Sequence, residues 1–436
     1  MRRAEAAAQP AAQAAAEPAS TTGLIAWAFY DWANSAFFTV IITFVFATYF
    51  SQAVAADPVT GTAQWGWAIT ASALSVAVLA PVVGAIADAG GRRKPWLLVL
   101  TVVAAVASAL LWWAVPSPDA VVFTLVTIGI ANLAMEMATV FYNAMLPDIV
   151  ARGRIGRLSG WAWALGYAGG LACLVLALVG FIQTETPWFG LDPEAGEHVR
   201  VTGPLVALWL AVFGLPLFLF TPDRASAGLP AGEAVRRGLG MLKNTFLNLR
   251  RYQVIARFLL ARMIYIDGLN TLFAFGGIYA AGTFGMSLTE VIYFGIVLNV
   301  TAGLGAFAFG WLDDRIGAKR TILIGLAGLL ACGLAAVLVQ TKLGFWIAAC
   351  LLGIFIGPTQ ASSRSLMARY APPEARTEMF GLYALTGKVT SFLGPFVLGT
   401  VTYYSGSQRL GMATVLLFLG LGAALLWPLP EPDSER

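Results

Sequence analysis

The chain has 436 residues, 58% hydrophobic and 11% charged, with a net charge of +4. Soluble domains carry about 25% charged residues, so this composition, with a mean hydropathy of +0.76, places most of the chain in lipid. It gives the positive charge a membrane face rather than nucleic acid as its partner. The one histidine, His198, sits in a polar loop, and Cys173, Cys332 and Cys350 lie inside apolar runs. With one histidine and no clustered thiols, a catalytic zinc or a Ser-His-Asp triad has little to work with. No metal, cofactor or enzymatic activity is expected.

Residues 1–22 are rich in Ala, Gln and Pro. A signal peptide needs an apolar stretch after its basic start, and Arg2 and Arg3 are followed by none, so this is expected to be a disordered cytoplasmic tail. A spanning helix needs about 20 mostly apolar residues. Twelve such runs follow, near 24–53, 63–87, 95–115, 119–146, 158–182, 203–220, 254–281, 287–312, 320–340, 343–366, 378–403 and 409–428. The pattern predicts an all-α integral membrane protein with twelve transmembrane helices in two pseudo-symmetric bundles of six, 23–221 and 253–429, and a short tail at 430–436.

The bundles are separated by a connector, 222–252, in which Val235, Leu239, Leu242, Phe246 and Leu249 recur at helical spacing among Arg236, Arg237, Lys243 and Arg250. That pattern suits an amphipathic helix lying on membrane lipid, or equally a solvated linker helix. Orientation follows the Lys/Arg bias of short loops. Of 27 basic residues only Arg200, Lys342 and Arg409 fall in loops on one side, whereas Arg92-Arg93-Lys94, Arg152 and Arg154, Arg236-Arg237 and Lys319-Arg320 cluster on the other. Both termini of this multi-pass chain are therefore expected in the cytoplasm.

The second and eighth spans end in loops that read almost alike. Gly84, Asp88, Gly91, Arg93 and Lys94 match Gly310, Asp314, Gly317, Lys319 and Arg320 position for position, with Arg92 opposite Ala318. This resembles the G-x-x-x-D-R-x-G-R-[RK] loop of the major facilitator superfamily, with Arg315 in place in the second copy and Ala89 instead of Arg in the first. Asp88 ends a helix whose dipole disfavours an anion there, so it needs Arg92, Arg93 or the N-terminus of another helix. The resemblance implies the last, a contact that holds the cytoplasmic side shut. Simple basic anchoring with glycine turns is the bland alternative.

A second repeat lies deeper. The first span contains Asp31, Asn34, Ser35 and Phe37, and the seventh Asp267, Asn270, Thr271 and Phe273, both D-x-x-N-[ST]-x-F. Residues at i and i+3 share one helix face, so each helix should present a carboxylate and an amide together. Charged side chains inside a bilayer cost roughly 2.5–3.5 kcal/mol on insertion scales and face a cavity or a partner. Asp31, Glu136, Asp267 and Lys388 are thus candidate substrate or coupling residues, with Arg262 as another intramembrane charge. A structural ion-pair network, with Lys388 neutralising one carboxylate, is the alternative. Glycine pairs at 156 and 160, 166 and 170, and 353 and 357 permit close helix packing.

Three further stretches are more specific: Tyr30 to Phe37, Phe141-Tyr142-Asn143-Ala144-Met145-Leu146-Pro147, and Gln360 through Arg364 to Tyr383 with Gly387-Lys388 and Gly394-Pro395. Together they resemble the bacterial branch of the autophagy-related vacuolar effluxer family of the major facilitator superfamily, from about residue 24 to 428. The resemblance implies a secondary transporter working by alternating access on a small solute; the intramembrane acids point to coupling to a proton or cation, and a monomer is expected. Amino-acid efflux is the substrate guess the resemblance carries. It adds Tyr142 and Asn143 to the substrate or coupling set, and Arg364 to the cytoplasmic gate. A sugar–cation symporter and a multidrug exporter of the same superfamily are the rival readings.

Overall fold

The computed structural model describes residues 19–247 and 252–432; the expectations for residues 1–18, for Leu249 and Arg250, and for 433–436 lie outside them. Among the described residues all regular structure is helical. Eleven helices are long and apolar enough to cross a membrane. They are α1 (Thr21–Val54), α2 (Pro58–Gly90), α3 (Lys94–Trp113), α4 (Pro118–Ile149), α5 (Arg152–Ile182), α6 (Glu197–Phe220), α7 (Gln253–Phe284), α8 (Leu288–Ile316), α9 (Ala318–Leu338), α10 (Lys342–Tyr370) and α12 (Gln408–Leu426).

The eleventh in chain order departs from the expected continuous span 378–403. It is two helices, α11a (Arg376–Thr386) and α11b (Leu393–Ser405), joined by turns from Gly387 to Phe392. Pro395 lies in the first turn of α11b, where its missing N–H does no harm. A continuous helix would press its ring against the carbonyl of residue 391. Pro81, Pro147, Pro216 and Pro358 sit inside unbroken helices, so proline alone does not make the break. The extra ingredients are Gly387 and two charges on α7, described below.

Helix ends explain the loops. Asp57 caps α2 by accepting from the N–H groups of Val59 and Thr60, both at 3.0 Å, and Ser287 with Glu290 forms a capping box on α8. At the other end α2 and α8 stop at Gly91 and Gly317, with φ of 88° and 99°, a left-handed turn that a side chain would strain. These are the matched glycines of the repeated loop.

α1 packs on α5 and α6, α7 on α12, and α10 on α8 and α9. Residues 21–220 meet residues 253–426 along two seams, α5 on α8 and α2 on α11a. Both seams are lined by glycine. A Cβ on Gly84 would lie 2.7 Å from the Thr377 carbonyl oxygen, one on Gly381 2.7 Å from that of Ala80, and one on Gly310 3.1 Å from the Arg157 Cα. α11b instead packs on α7 and α12. The linker helix, Ala231–Leu247, lies across α2 with Ala234 and Gly238 buried, leaving Val235, Leu239 and Leu247 exposed.

The end carrying Arg92, Arg93, Lys319 and Arg320 is called the basic face here. Toward the far face, a cavity of about 480 Å³ opens between α2 and α4, lined by Gln64, Trp67, Ser72, Ser75, Leu125 and Leu133.

Candidate gates and transport site

Asp31 stands ten residues into α1, about 15 Å along its axis from the basic end. It is 9% exposed. Arg364 reaches it from α10: Nη1 donates to Asp31 Oδ2 at 2.8 Å and to Asn143 Oδ1 at 3.2 Å, and Nε and Nη2 donate to the Ser159 hydroxyl and carbonyl at 2.9 and 2.7 Å. The guanidinium also faces the rings of Trp27, Tyr142 and Trp163 at 5.3 to 5.7 Å, a cation–π arrangement. Trp27 stacks on Tyr142 with centroids 4.3 Å apart. Asn34 donates to Asp31 Oδ1 at 3.3 Å. Asp31, Asn34, Tyr142, Asn143 and Arg364 thus form one buried cluster, in which Arg364 from the second set of helices plugs into a socket made by the first. It stands well inside the protein from the basic-face loops with which the sequence reading grouped it.

The matched site on α7 is built differently. Asp267 is buried and, among the described residues, accepts only the Gly394 N–H, at 3.2 Å on Oδ2, with no hydrogen-bond partner on Oδ1. Asn270 is exposed and makes no bond to Asp267, so the carboxylate and amide act together on α1 and not on α7. The helix surroundings are nonetheless related. Gly166 of α5 sits against Ser35, and Gly394 of α11b against Thr271, the equivalent residue. Between the two sites Lys388, in the α11 break, donates to Glu136 of α4 at 2.6 Å.

At the basic face the two repeated loops make two latches. Asp88 accepts from the Thr377 hydroxyl at 2.7 Å and the Glu378 N–H at 2.9 Å, at the N-terminus of α11a, and from Arg93 at 3.2 Å. Asp314 accepts from the Gly156 and Arg157 N–H groups at 2.8 and 3.2 Å, at the N-terminus of α5, and from Arg157 Nε at 2.9 Å. An anion is favoured at a helix N-terminus by its free N–H groups and its dipole. Each aspartate therefore ends its own helix and caps a helix from the other set.

Residues that the sequence reading did not single out complete the latches. Asp148 takes Arg93 and Arg376 together and pairs with Arg224 at 3.1 Å. Burial, with Arg93 beside it, pushes the Arg224 guanidinium down to about 10. Arg369 joins Asp313 at 2.8 Å to Asp314 at 3.3 Å. A signal existed: Asp148 directly follows Pro147 of a quoted stretch, and Arg157 and Arg376 open the helices that receive the aspartates. By contrast Arg92, Arg315 and Arg320 are exposed, and Lys319 folds back onto the Trp427 and Leu429 carbonyls. Among the described residues, the side-chain bonds joining the two sets of helices run from the basic face to Lys388–Glu136 and no further. No group of three or more His, Cys, Asp or Glu gathers among them to hold a metal.

The model of the family described as vacuole effluxer Atg22 like matches residues 67–156 and 151–436. The uncharacterized MFS-type transporter YxiO of Bacillus subtilis is 27% identical over 411 residues, 94% of this chain and 95% of that protein. Autophagy-related protein 22-1 of Penicillium rubens is 25% identical over 297 residues; the chain spans about half the length of such fungal relatives, 48% in this case. In fold, the E. coli fucose:proton symporter FucP superposes with a TM-score of 0.72 at 15% identity, covering 94% of this chain and 98% of that one. The proton:xylose symporter XylE does so with 0.72 at 13%, covering 94% and 96%. The chain belongs to the vacuole effluxer Atg22 like family and is a multi-pass membrane transporter of the major facilitator superfamily.

Proposed function

We propose that the protein exports a small zwitterion, an amino acid, across a bacterial inner membrane by alternating access, in exchange with protons. The basic face is cytoplasmic, and the conformation described here is shut on that side and open on the other. One observation carries this reading: among the described residues, the side-chain bonds that bridge residues 21–220 and 253–426 occupy only the half of the molecule from the basic face to Lys388–Glu136. Two six-helix bodies that rock about a central site would be joined on one side at a time.

Asp31, Asn34, Glu136, Tyr142, Asn143, Asp267, Asn270 and Lys388 supply carboxylate, amide and ammonium groups to the region between the bodies, a set suited to a solute with both charges. Efflux is supported by the family's description as vacuole effluxers. The exposed Val235, Leu239 and Leu247 of the linker helix, beside Arg236 and Lys243, would rest on anionic lipid.

The test is transport by purified monomer in proteoliposomes under an imposed pH gradient, with amino acids, sugars and cationic drugs offered in parallel. Proton-driven movement of an amino acid is the expected result. Movement of sugars alone, or none that responds to the gradient, would overturn the assignment. A thermal-shift screen of the same panel reads the ligand independently, because a true ligand stabilises the folded state by mass action.

A further inference from the structure

The break in α11 is clasped by α7 on both sides. Arg262 donates to the Tyr383 carbonyl at 2.7 Å and the Thr386 hydroxyl at 3.2 Å, which puts a cation at the C-terminus of α11a. Asp267 lies five residues further along, about 7.5 Å on the helix axis. It accepts the Gly394 N–H, which puts an anion at the N-terminus of α11b. Each charge meets the helix end whose dipole favours it. The cost of interrupting a membrane helix is the loss of its backbone bonds, and here two buried charges take up the freed groups.

The clasps differ in one respect. Arg262 stays charged at every working pH. Asp267 is 1% exposed, and among the described residues its Oδ1 has no partner and no ion pair reaches it. The charged and titratable groups around it are already engaged or remote. On α7, Tyr265 bonds Ser363 of α10 at 2.6 Å. On α11, Tyr383 lies beneath the Arg262 guanidinium and Lys388 holds Glu136. α12 brings Val415, Phe418 and Leu419 against Gly268, and its Arg409 bonds the carbonyls of Val337 and Val339 at the far end. Arg364 of α10 is taken by Asp31. The acids of α8, Glu290, Asp313 and Asp314, are held at its ends by Lys342, Arg369 and Arg157. A lone buried carboxylate with one empty oxygen accepts a proton; a metal ion would need ligands that do not gather here.

We propose that Asp267 carries the coupling proton and that its charge sets the position of α11b, making α11b a far-face gate that moves independently of α11a. This rests on the proton-coupled alternating access proposed above. A proton from far-side water bonds to Oδ1, the carboxylate becomes neutral, and the hold on the α11b N-terminus weakens. α11a stays in place, because Arg262 keeps its charge and Asp88 still latches it to α2. The hinge is the Gly387–Phe392 turn, so α11b can close over the far-face cavity before the basic face opens. Release of the proton to the basic side restores the clasp.

The test uses the full chain in proteoliposomes, spin-labelled at exposed positions. One pair is Val59 and Tyr404 at the far face, and the other is Arg92 and Glu374 at the basic face. Acidifying the far side should shorten the first distance in the otherwise wild-type chain and leave the second unchanged. Asp267→Asn should hold the short distance at every pH and lose gradient-driven transport. A far-face distance in the wild-type chain that ignores pH overturns the proposal without any variant, as does an Asp267→Asn protein that still responds. Gradient-driven transport that survives in Asp267→Asn sinks this proposal alone. Transport that ignores the gradient in the wild-type chain sinks the coupled reading and this proposal with it.

Discussion

Asp31 and Asp267 begin the same seven-residue pattern on equivalent helices, and the protein treats them in opposite ways. Asp31 receives Arg364 at 2.8 Å and Asn34 at 3.3 Å, and both of its oxygens are used. Asp267 receives one backbone N–H and keeps one oxygen empty. The difference arises in their neighbours. α5, beside Asp31, is an unbroken helix that offers the Ser159 carbonyl to the arginine. α11, beside Asp267, is broken and offers a helix N-terminus. A repeat in sequence therefore gives two sites of related packing and different electrostatics, one suited to locking the two bodies together and one to changing charge.

The largest expected effect breaks the lock. Arg364→Met strands the buried Asp31 charge, which should cost about 3–5 kcal/mol of stability and abolish transport; thermal unfolding in detergent and vesicle uptake read the two. Adding Asp31→Asn should restore most of the stability and none of the transport. Asp267→Asn removes only a charge-assisted bond, so its loss should stay near 1.5–3 kcal/mol or below. Equal losses in Asp31→Asn and Asp267→Asn would erase the distinction drawn between the sites.

Next come the seams. Gly84→Ala places a methyl 2.7 Å from the Thr377 carbonyl oxygen, an overpacking of about 1–3 kcal/mol that falls only on the state closed at the basic face. Protease or thiol access to that face should rise while the total fold stays intact. Asp88→Asn should act in the same direction at about 1–2 kcal/mol, and more strongly than Asp314→Asn. Asp88 is buried with Arg93, whereas the Arg157 side chain that meets Asp314 is 34% exposed. The smallest effect belongs to Glu136→Gln. Lys388 is 34% exposed, so water and salt screen the pair to about 0–1 kcal/mol, and the effect should shrink further at high ionic strength.

Much of this was legible before any coordinates. Apolar runs of bilayer length located the helices, because a spanning segment must satisfy its own backbone and leaves a long, simple signal. The repeated loops pointed to Asp88 and Asp314; the dipole argument left Asp88 needing Arg92, Arg93 or a foreign helix N-terminus, and the family resemblance implied the last. What escaped was pairing at a distance. Nothing near Arg364 in sequence says that it belongs with Asp31, more than three hundred positions away. Arg376 and Asp148 are likewise joined only by the fold. The break in α11 left a partial trace in Gly387 and Pro395, but Pro358 in intact α10 shows why that trace alone was insufficient. Asn270 shows the opposite limit: spacing gave it a face shared with Asp267, yet it is exposed and makes no bond to that carboxylate.

The proposed cycle requires that Arg364, seated against Asp31, hold the basic face shut. Its most direct test is the distance between spin labels at Arg92 and Arg320, both exposed on that face, in the otherwise wild-type chain and with Arg364→Met. A short distance that lengthens in the variant, and in the parent on cycling with solute and pH, is the predicted result. A distance that is the same in both proteins under all conditions would contradict it.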